Sequence, residues 1–310
     1  MLSVPAAAQS YPTKPVRLVI PWPPGGAGDI LGRELAKHLT LALGQQIIVD
    51  NRGGANGVIG AEVVARAAPD GYTVMFDGLF SHAANPSIHK KLPYDILKDF
   101  APVTEIYSDP VVIVVHPSFP AKNVRDLVRL AKARPGAISI ASFGTGSASH
   151  LAGELLKIMA KIDMTHIPYK GGGPALIDVI GGQVPIYISS ITSALPHLKA
   201  GRLRALAVSG STRSKALPDV PTVAETRGLE GYELMMPFGV WVPARTPPDI
   251  IAKLHDTIVK VIQTPEFRQS PASEGKDDPV GNTPEQMAAT MRSEIEKIAK
   301  LIKAAGIKPL

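Results

Sequence analysis

Near the N-terminus, short apolar runs alternate with helical patterns, and this alternation limits the fold more than any other feature of the chain. Apolar and β-branched residues fill Val16–Ile20, residues 46–49 and residues 73–76. Apolar residues recur at helical spacing in residues 30–43 and 58–67. Strands that alternate with helices form a parallel sheet covered on both faces. The sequence therefore predicts a βαβαβ unit here.

A second series of the same kind occupies the middle of the chain. It begins with two segments, 101–106 and 111–115, that resemble further parallel strands. The other elements of the series alternate, with strands expected at 138–141, 164–167, 186–189 and 203–208 and helices at 124–133, 150–161 and 175–181. Because 310 residues exceed the usual size of one hydrophobic core, each series is expected to form its own doubly wound sheet.

The C-terminal part contains further helical patterns that need a sheet to cover. One face of the first pattern carries Ile250, Leu254, Ile258 and Ile262. If these helices pack against the first sheet, the chain forms an α/β fold of two doubly wound lobes with a central cleft. Lobe 1 then comprises residues 11–106 and 235–310, lobe 2 comprises residues 107–234, and the chain crosses between them twice.

Residues 1–10 precede the first strand pattern and contain small residues in an Ala-x-Ala arrangement from Ala6 to Ala8. This arrangement is typical of the cleavage region of a secretory signal peptide, so the segment is interpreted as the remnant of one. A flexible end without function is the other interpretation. The first interpretation predicts that the protein acts in the periplasm.

Two glycine-rich turns precede helical patterns, one in each lobe. The first contains Gly25, Gly26 and Gly28 with Asp29 at the helix start, and the second contains Gly144 and Gly146 with Ser147 or Ser149 as a helix cap. Such turns expose N–H groups to an anion at a helix N-terminus. Ligands of open α/β sheets bind at the carboxyl ends of the strands, where both turns fall. Two ordinary capped turns without a ligand are the simpler alternative.

Dinucleotide binding is the main enzymatic alternative. Gly26, Gly28 and Gly32 form an approximate fingerprint, and Asp50 ends the second strand, where such an enzyme places its ribose-binding acid. However, four residues, Pro21 to Pro24, separate the strand from the glycines. No Lys-Ser or Lys-Thr follows the turn, so a P-loop is excluded.

Motifs for catalysis, metals and nucleic acids are missing from the sequence. The chain has no cysteine, no nucleophile motif and no zinc motif, and Pro86 is expected to break any helical face shared by His82 and His89. His150, beside the second turn, is the histidine best placed to meet a ligand. The net charge of +6 comes from scattered residues rather than a basic cluster. We therefore expect no metal, no cofactor and no nucleic-acid partner.

Several phrases in the chain, in order, resemble the Bug-type substrate-binding proteins of tripartite tricarboxylate transporters over nearly the full length. The matching phrases are YPTKPVRLVIPWPPGGAGDILGRELAKHL, GQQIIVDNRGGANGVIGAEVVARAAPDGYTVMF, LPYDILKDFAPVT, HIPYKGGGPALIDVIGGQV, LKAGRLRALAVSGSTRSKALPDVPTVAET and VPARTPPDIIAKL. The resemblance implies a monomeric, non-enzymatic protein with a fold like that of type II periplasmic binding proteins, a "Venus flytrap". It also implies capture of a small di- or tricarboxylate or aromatic acid between the lobes and delivery to the permease subunits of the transporter.

By the same resemblance, backbone amides and bridging waters hold the ligand. The corresponding positions are Pro24, Gly25, Gly26, Ala27, Asp29, Phe80, Ser81, His82, Gly144, Thr145, Gly146, Ser147, Ser149, His150, Tyr169, Lys170 and Gly171. Lys170 is either a ligand contact or a surface lysine.

The chain departs from the family pattern at two places near the expected cleft. After the stretch near GGQV the family usually continues with an acidic residue, whereas this chain reads PIYISS, which ends in Ser189 and Ser190. Phe238 stands in Pro-Phe-Gly where Trp-Tyr-Gly or Trp-Phe-Gly is common. These three residues complete the expected site and point to a specificity of its own. A ligand-sensing partner of a signalling protein would share the fold and remains a further alternative.

Overall fold

One long strand runs through both halves of the sheet in the computed structural model, which describes residues 11–309 apart from 275 and 277. This strand, β4 (Phe100–Val115), pairs antiparallel with β9 (Met235–Pro243) through Pro110 and then with β7 (Ile186–Ser190) and β8 (Arg204–Val208). The prediction of two separate parallel strands here was wrong. Pro110 lacks an N–H and lies where the pairing changes, which explains why the sequence suggested a break.

The N-terminal half confirms the predicted βαβαβ unit. Parallel strands run in the order β2-β1-β3, with β9 antiparallel to β3 at the inner side. The elements are β1 (Val16–Ile20), α1 (Ala27–Leu43), β2 (Ile47–Asn51), α2 (Val58–Ala65), β3 (Thr73–Gly78) and α3 (Leu79–Ile88).

The middle of the chain forms the other half of the sheet, in the order β4-β7-β5-β6, with β8 also on β4. Strands β7, β5 and β6 are parallel. The further elements are α4 (Val124–Ala133), β5 (Ser139–Ser142), α5 (Ala148–Ala160), β6 (Thr165–Pro168), α6 (Gly172–Ile180) and α7 (Ile191–Lys199). The α/β class and the two lobes are thus as predicted, although β9 and β4 join the two series in one nine-stranded sheet instead of two separate ones. The lobe boundaries stay a prediction; we use them below as labels.

The C-terminal helices α8 (Pro248–Ile262), α9 (Pro265–Arg268) and α10 (Pro284–Ala304) return to the first half. On α8, Leu254, Ile258 and Ile262 are buried as their spacing predicts. Helix α10 packs against α3 and β4. Within the described residues, no helix has both the length and the hydropathy of a membrane span. The expected signal-peptide remnant, residues 1–10, lies outside the described residues.

Helices α3 and α7 were not predicted, because each contains a proline. Pro86 is the eighth of ten residues in α3, and Pro196 is the sixth of nine in α7. Each proline removes one intrahelical hydrogen bond, and each lies beyond the first turn of a helix whose opening residues are buried. Pro86 does not end α3, which continues to Ile88, but His89 lies beyond the helix in an extended conformation, so His82 and His89 share no helical face, as expected.

Ser209 joins the two chain segments that cross between the lobes. Its backbone N–H donates to Val111 O at 2.9 Å, and its carbonyl accepts from Leu234 N at 3.0 Å. Its buried hydroxyl accepts from Val111 N at 2.9 Å and donates to Leu234 O. One side chain therefore holds β4 and the segment that enters β9 together.

Candidate ligand-binding site

A cavity of about 40 Å³ lies between the lobes, where strands end and helices begin. This is the edge of the sheet at which α/β proteins bind ligands. Its walls are formed by Trp22, Pro23, Gly26, Ala27, Gly28, Gly78, Phe80, Ser81, Phe143, Gly172, Tyr187, Ser190, Ser193, Met236 and Phe238.

The N-terminus of α1 contributes Gly26, Ala27 and Gly28 to the cavity. Gly26 is the N-cap and has no side chain to accept from the first helical N–H groups. The preceding Gly25 has φ +88°, and its N–H donates to Asp29 Oδ2 at 3.0 Å. The hydrogen bond from Gly25 fixes the shape of the turn, and no side chain caps the first N–H groups of α1.

Asp29 itself is not in the cavity wall. Its other oxygen accepts from Arg33 Nε at 2.8 Å and from Asn51 Nδ2 at 3.0 Å, and only 5% of the residue is exposed. Asp29 therefore fixes the shape of the turn.

The N-terminus of α3 contributes Gly78, Phe80 and Ser81. The Gly78 N–H donates to Oδ1 of the fully buried Asp77 at 2.7 Å, and the indole N–H of Trp22 donates to the same oxygen. The second oxygen of Asp77 lies 3.0 Å from His82 Nε2, although the orientation does not give a good hydrogen bond. Asp77 therefore sets the position of the Trp22 ring in the cavity wall.

Helices α6 and α7 begin at the cavity from the second lobe. The N-cap of α6 is Gly171, again without a side-chain cap, and Gly172 lines the cavity. The N-cap of α7 is Ser190, whose hydroxyl accepts from Ser193 N at 3.3 Å and donates to Ser193 Oγ at 2.9 Å.

Four helix N-termini thus meet at one cavity, and those of α1, α3 and α6 have glycine N-caps. Each helix carries partial positive charge at this end, equivalent to roughly half an elementary charge. Among the cavity residues named above, all of them described in the structure, none is Lys, Arg or His. The cavity therefore offers an anion backbone N–H groups and helix dipoles instead of a cationic side chain.

The lobes touch each other beside the cavity. A Cβ at Gly171 would lie 2.4 Å from Pro23 Cγ, and one at Gly172 would lie 3.8 Å from Gly26 Cα. The rings of Trp22 and Phe143 meet edge to face at 5.9 Å. Larger side chains at these glycines would hold the lobes apart.

The family model described as "Tripartite tricarboxylate transporter family receptor" matches residues 31–307. The chain belongs to this family. BugT of Bordetella pertussis is 36% identical over 308 residues, which cover 99% of this receptor and 94% of BugT. The periplasmic binding protein BugD superposes with a TM-score of 0.90 at 32% identity, covering 97% of this receptor and 100% of that chain. Rpa4515 of R. palustris, whose structure was solved with adipate, superposes with a TM-score of 0.93 at 35% identity. The match covers 97% of this receptor and 100% of that chain.

The turn before α5 has a different structure from the turn before α1. Ser147 caps α5 by accepting from His150 N at 3.3 Å, and Gly146 N–H donates to His150 Nδ1 at 3.0 Å. The Ser149 hydroxyl donates to Ile188 O. A Cβ at Gly146 would lie 1.7 Å from Ile88 Cδ1, so this turn packs closely against α3 of the other lobe.

The side chain of His150 also faces its own lobe. Its ring stacks on His166 with centroids 3.8 Å apart, and its Nε2 lies 3.6 Å from Glu154 Oε1. Burial, and then the charge of His150, lower the pKa of His166 to about 3. The His166 Nε2 lies 2.6 Å from Ser142 Oγ.

Tyr169, Lys170 and Ser189 lie outside the cavity wall. The Tyr169 hydroxyl donates to Asp178 Oδ2 at 2.6 Å, and the Ser189 hydroxyl donates to the carbonyl of Ser190. Lys170 is exposed.

Six residues of the predicted site line the cavity: Gly26, Ala27, Phe80, Ser81, Ser190 and Phe238. The others lie elsewhere in the structure: Pro24, Gly25, Asp29, His82, Gly144, Thr145, Gly146, Ser147, Ser149, His150, Tyr169, Lys170, Gly171 and Ser189. Whether any of them contacts a ligand stays a prediction. Sequence reasoning missed the other nine residues of the wall: Trp22, Pro23, Gly28, Gly78, Phe143, Gly172, Tyr187, Ser193 and Met236. The helix-start glycine of HIPYKGGG was the available signal for Gly172.

The structure removes one of the two supports of the dinucleotide alternative, the free carboxylate of Asp50. Asp50 is ion-paired with Arg17 and with Arg52, whose Nε lies 3.0 Å from Asp50 Oδ1. A Cβ at Gly32 would lie 2.5 Å from Ile20 Cδ1, so that glycine serves helix-to-strand packing, which is also the role of the third glycine in a dinucleotide fingerprint. Among the described residues, no group of three or more His, Asp or Glu side chains is placed to hold a metal ion.

Proposed function

We propose that this receptor captures a small organic acid by its carboxylate in the cavity between the lobes and delivers it to the membrane subunits of a tripartite transporter. The observation that carries the proposal is the meeting of four helix N-termini at one cavity. The adipate in Rpa4515 supports the same ligand class. Export to the periplasm and a monomeric state belong to this proposal.

The carboxylate is held by backbone N–H groups at Ala27 and at the first turn of α6. A hydrogen bond to a charged group stabilises a complex by about 1.5–3 kcal/mol. A helix N-terminus adds about 0.3–1 kcal/mol, and more when partly buried. Several such contacts from both lobes suffice for micromolar binding, which corresponds to about −8 kcal/mol.

Closure of the lobes completes the site, because α1 and α6 belong to different lobes and meet only when these are together. With the lobes in contact, the cavity volume is about 40 Å³. The ligand therefore enters when the lobes separate, and the closed form is what the permease recognises. In this scheme the receptor binds and releases its ligand without chemical conversion.

The proposal is tested by placing a carboxylate of the protein where the ligand's carboxylate is expected. Gly26 has φ −86° and ψ 170°, the extended conformation of an N-cap, and nothing lies within 4 Å of its Cβ position. Gly26→Asp should cap α1 and occupy its N–H groups. Gly26→Ala, the matched control, adds the Cβ without an acceptor.

Calorimetric titration with a panel of mono-, di- and tricarboxylates should show binding to the wild type and to Gly26→Ala. Gly26→Asp should bind the best of these acids more than 30-fold more weakly, without a lower melting temperature. Equal affinity in Gly26→Asp would disprove the α1 contact. Binding of NADH or NADPH with no acid bound would favour the enzyme alternative.

A further inference from the structure

The ring of Phe238 forms the cavity wall between the N-termini of α1 and α3. Its Cε1 atom lies 3.9 Å from the Cβ position of Gly28, in the first turn of α1, and 3.9 Å from that of Gly78, the N-cap of α3. All three residues line the cavity. The edge of one aromatic ring therefore fills the space between two helix starts.

The surrounding structure holds this ring in place. The backbone of Phe238 pairs with Gly78 on β3 and with Tyr107 on β4, so the sheet fixes it on both sides. On the side away from the cavity the ring stacks on the fully buried Phe76, with centroids 5.8 Å apart and ring planes 14° apart. Because protein interiors are close-packed, the ring has little room to move away from a ligand.

The first turn of α1 lies between this ring and the place where the carboxylate is expected. At one end of the turn, Gly26 Cα is 3.8 Å from the Cβ position of Gly172, where the lobes approach each other. At the other end, Gly28 lies beside Phe238. A ligand whose carboxylate binds between Gly26 and Gly172, and whose body continues along the turn, therefore meets the ring edge with its far end.

We propose that Phe238 limits the length of the acids that this receptor binds. This inference rests on the proposed function and adds to it a residue that determines specificity. A polar group at the far end of the ligand still finds the first turn of α3, which has no side-chain cap, and Ser81 in the cavity wall. The limit therefore applies to acids with and without a second carboxylate.

Two series of straight-chain acids test this proposal: the monocarboxylates from acetate to decanoate and the dicarboxylates from malonate to sebacate. In calorimetric titration with the wild type, the affinity should fall by about tenfold or more beyond a limiting length, as is typical when one methylene group exceeds a pocket. Phe238→Leu lacks the ring atoms at the edge and should accept a longer acid. Phe238→Ala should extend the limit further.

Phe76→Leu is the matched control. It removes the same ring atoms from the residue behind Phe238, which is not part of the cavity wall. This variant should have a lower melting temperature and the wild-type limit of length. A similar shift in Phe76→Leu and Phe238→Leu would mean that general loosening of the core changes the preference, and would contradict a specific role of Phe238.

The remaining outcomes separate this inference from the proposed function. If the Phe238 variants bind the acids with the wild-type limit of length, the inference is overturned and capture of a carboxylate stands. If the wild type binds none of the acids, both are overturned. Should Phe238→Ala not fold, Phe238→Leu decides.

Discussion

The turns before α1 and α5 look alike in sequence but serve different purposes in the structure. Both follow a strand, contain two or more glycines and lead into a helix. At α1 the N-cap is Gly26, no side chain caps the helix, and Gly26, Ala27 and Gly28 line the cavity. At α5 the cap is Ser147, and Gly146 gives its N–H to His150. Of these two turns, only the one before α1 leaves its helix without a side-chain cap.

Among single substitutions, the largest effect that separates the two turns is expected from Gly146→Ala. The new Cβ would meet Ile88 Cδ1 across the lobes, and alanine is strained at φ +78°. Overpacking and backbone strain together should cost about 2–4 kcal/mol. The lobes can relieve the clash by separating, so scattering with saturating ligand should give a larger radius of gyration than wild type, and titration a weaker affinity.

A second substitution isolates the clash from the strain. Ile88→Val removes Cδ1, so the double variant with Gly146→Ala should recover part of the affinity. An unchanged radius and affinity in Gly146→Ala alone would mean that the turn before α5 tolerates contact changes across the lobes.

Acid should weaken the region of α5. The pKa of His166 is lowered to about 3 by burial and then by His150, whereas an unfolded histidine titrates near pH 6.5. Between these values the unfolded chain holds the extra proton, so stability is full above about pH 6.5 and falls as the pH decreases toward 3. One pKa unit corresponds to about 1.4 kcal/mol, so the loss over this whole range should be on the order of 5 kcal/mol.

Urea unfolding at several pH values measures this loss. His166→Gln lacks the titrating group and should give a flatter profile over the same range. The residues 24–29 before α1 include no histidine, so Gly26→Ala should keep the wild-type profile. A wild-type slope in His166→Gln would assign the acid sensitivity to other groups, such as Glu154, whose pKa is also lowered.

Removing the α5 cap should reduce stability without reducing affinity. Ser147→Ala should cost about 1 kcal/mol in the free energy of unfolding, while the affinity stays within twofold of wild type. Ser147→Asp keeps an acceptor and should unfold like wild type. A tenfold loss of affinity in Ser147→Ala, at unchanged stability, would place this turn in the site after all.

Lys170→Ala should have the smallest effect. The lysine is exposed beside Gly171. An ion pair made by an exposed side chain contributes less than about 1 kcal/mol, so its loss should change the free energy of ligand binding little. Titration should show an affinity within threefold of wild type. Complete loss of binding would reveal a cationic clamp and contradict capture by backbone groups.

The fold could be predicted where a helix or strand has its own periodicity. The run Val16–Ile20 and the spacing of Leu254, Ile258 and Ile262 each identify an element and its buried face. Helices α3 and α7 could not be found this way, because each contains a proline, Pro86 or Pro196, and proline normally predicts the end of a helix. Tertiary packing keeps both segments helical in spite of the proline. The pairing of β4 with β9 joins segments that are more than 100 residues apart, so no local pattern contains it.

The site was predictable only in part for the same reason. The local sequence around Gly26 and Ala27 predicts a helix start, and both residues line the cavity. The use of Trp22 depends on a buried carboxylate at Asp77, which a single sequence does not place beside it. Which of several glycine turns stays uncapped depends on whether a neighbouring side chain, such as Ser147, reaches the N–H groups.

The bond network of Ser209 limits how this molecule can move. It ties Val111 to Leu234 beside the two segments that cross between the lobes, so a rotation of one segment alone would break these hydrogen bonds. We therefore expect opening to be a change of twist shared along the paired strands β4 and β9. In that case the sheet sets the angle between the lobes in the free receptor. The free energy of ligand binding must then include the cost of twisting the sheet.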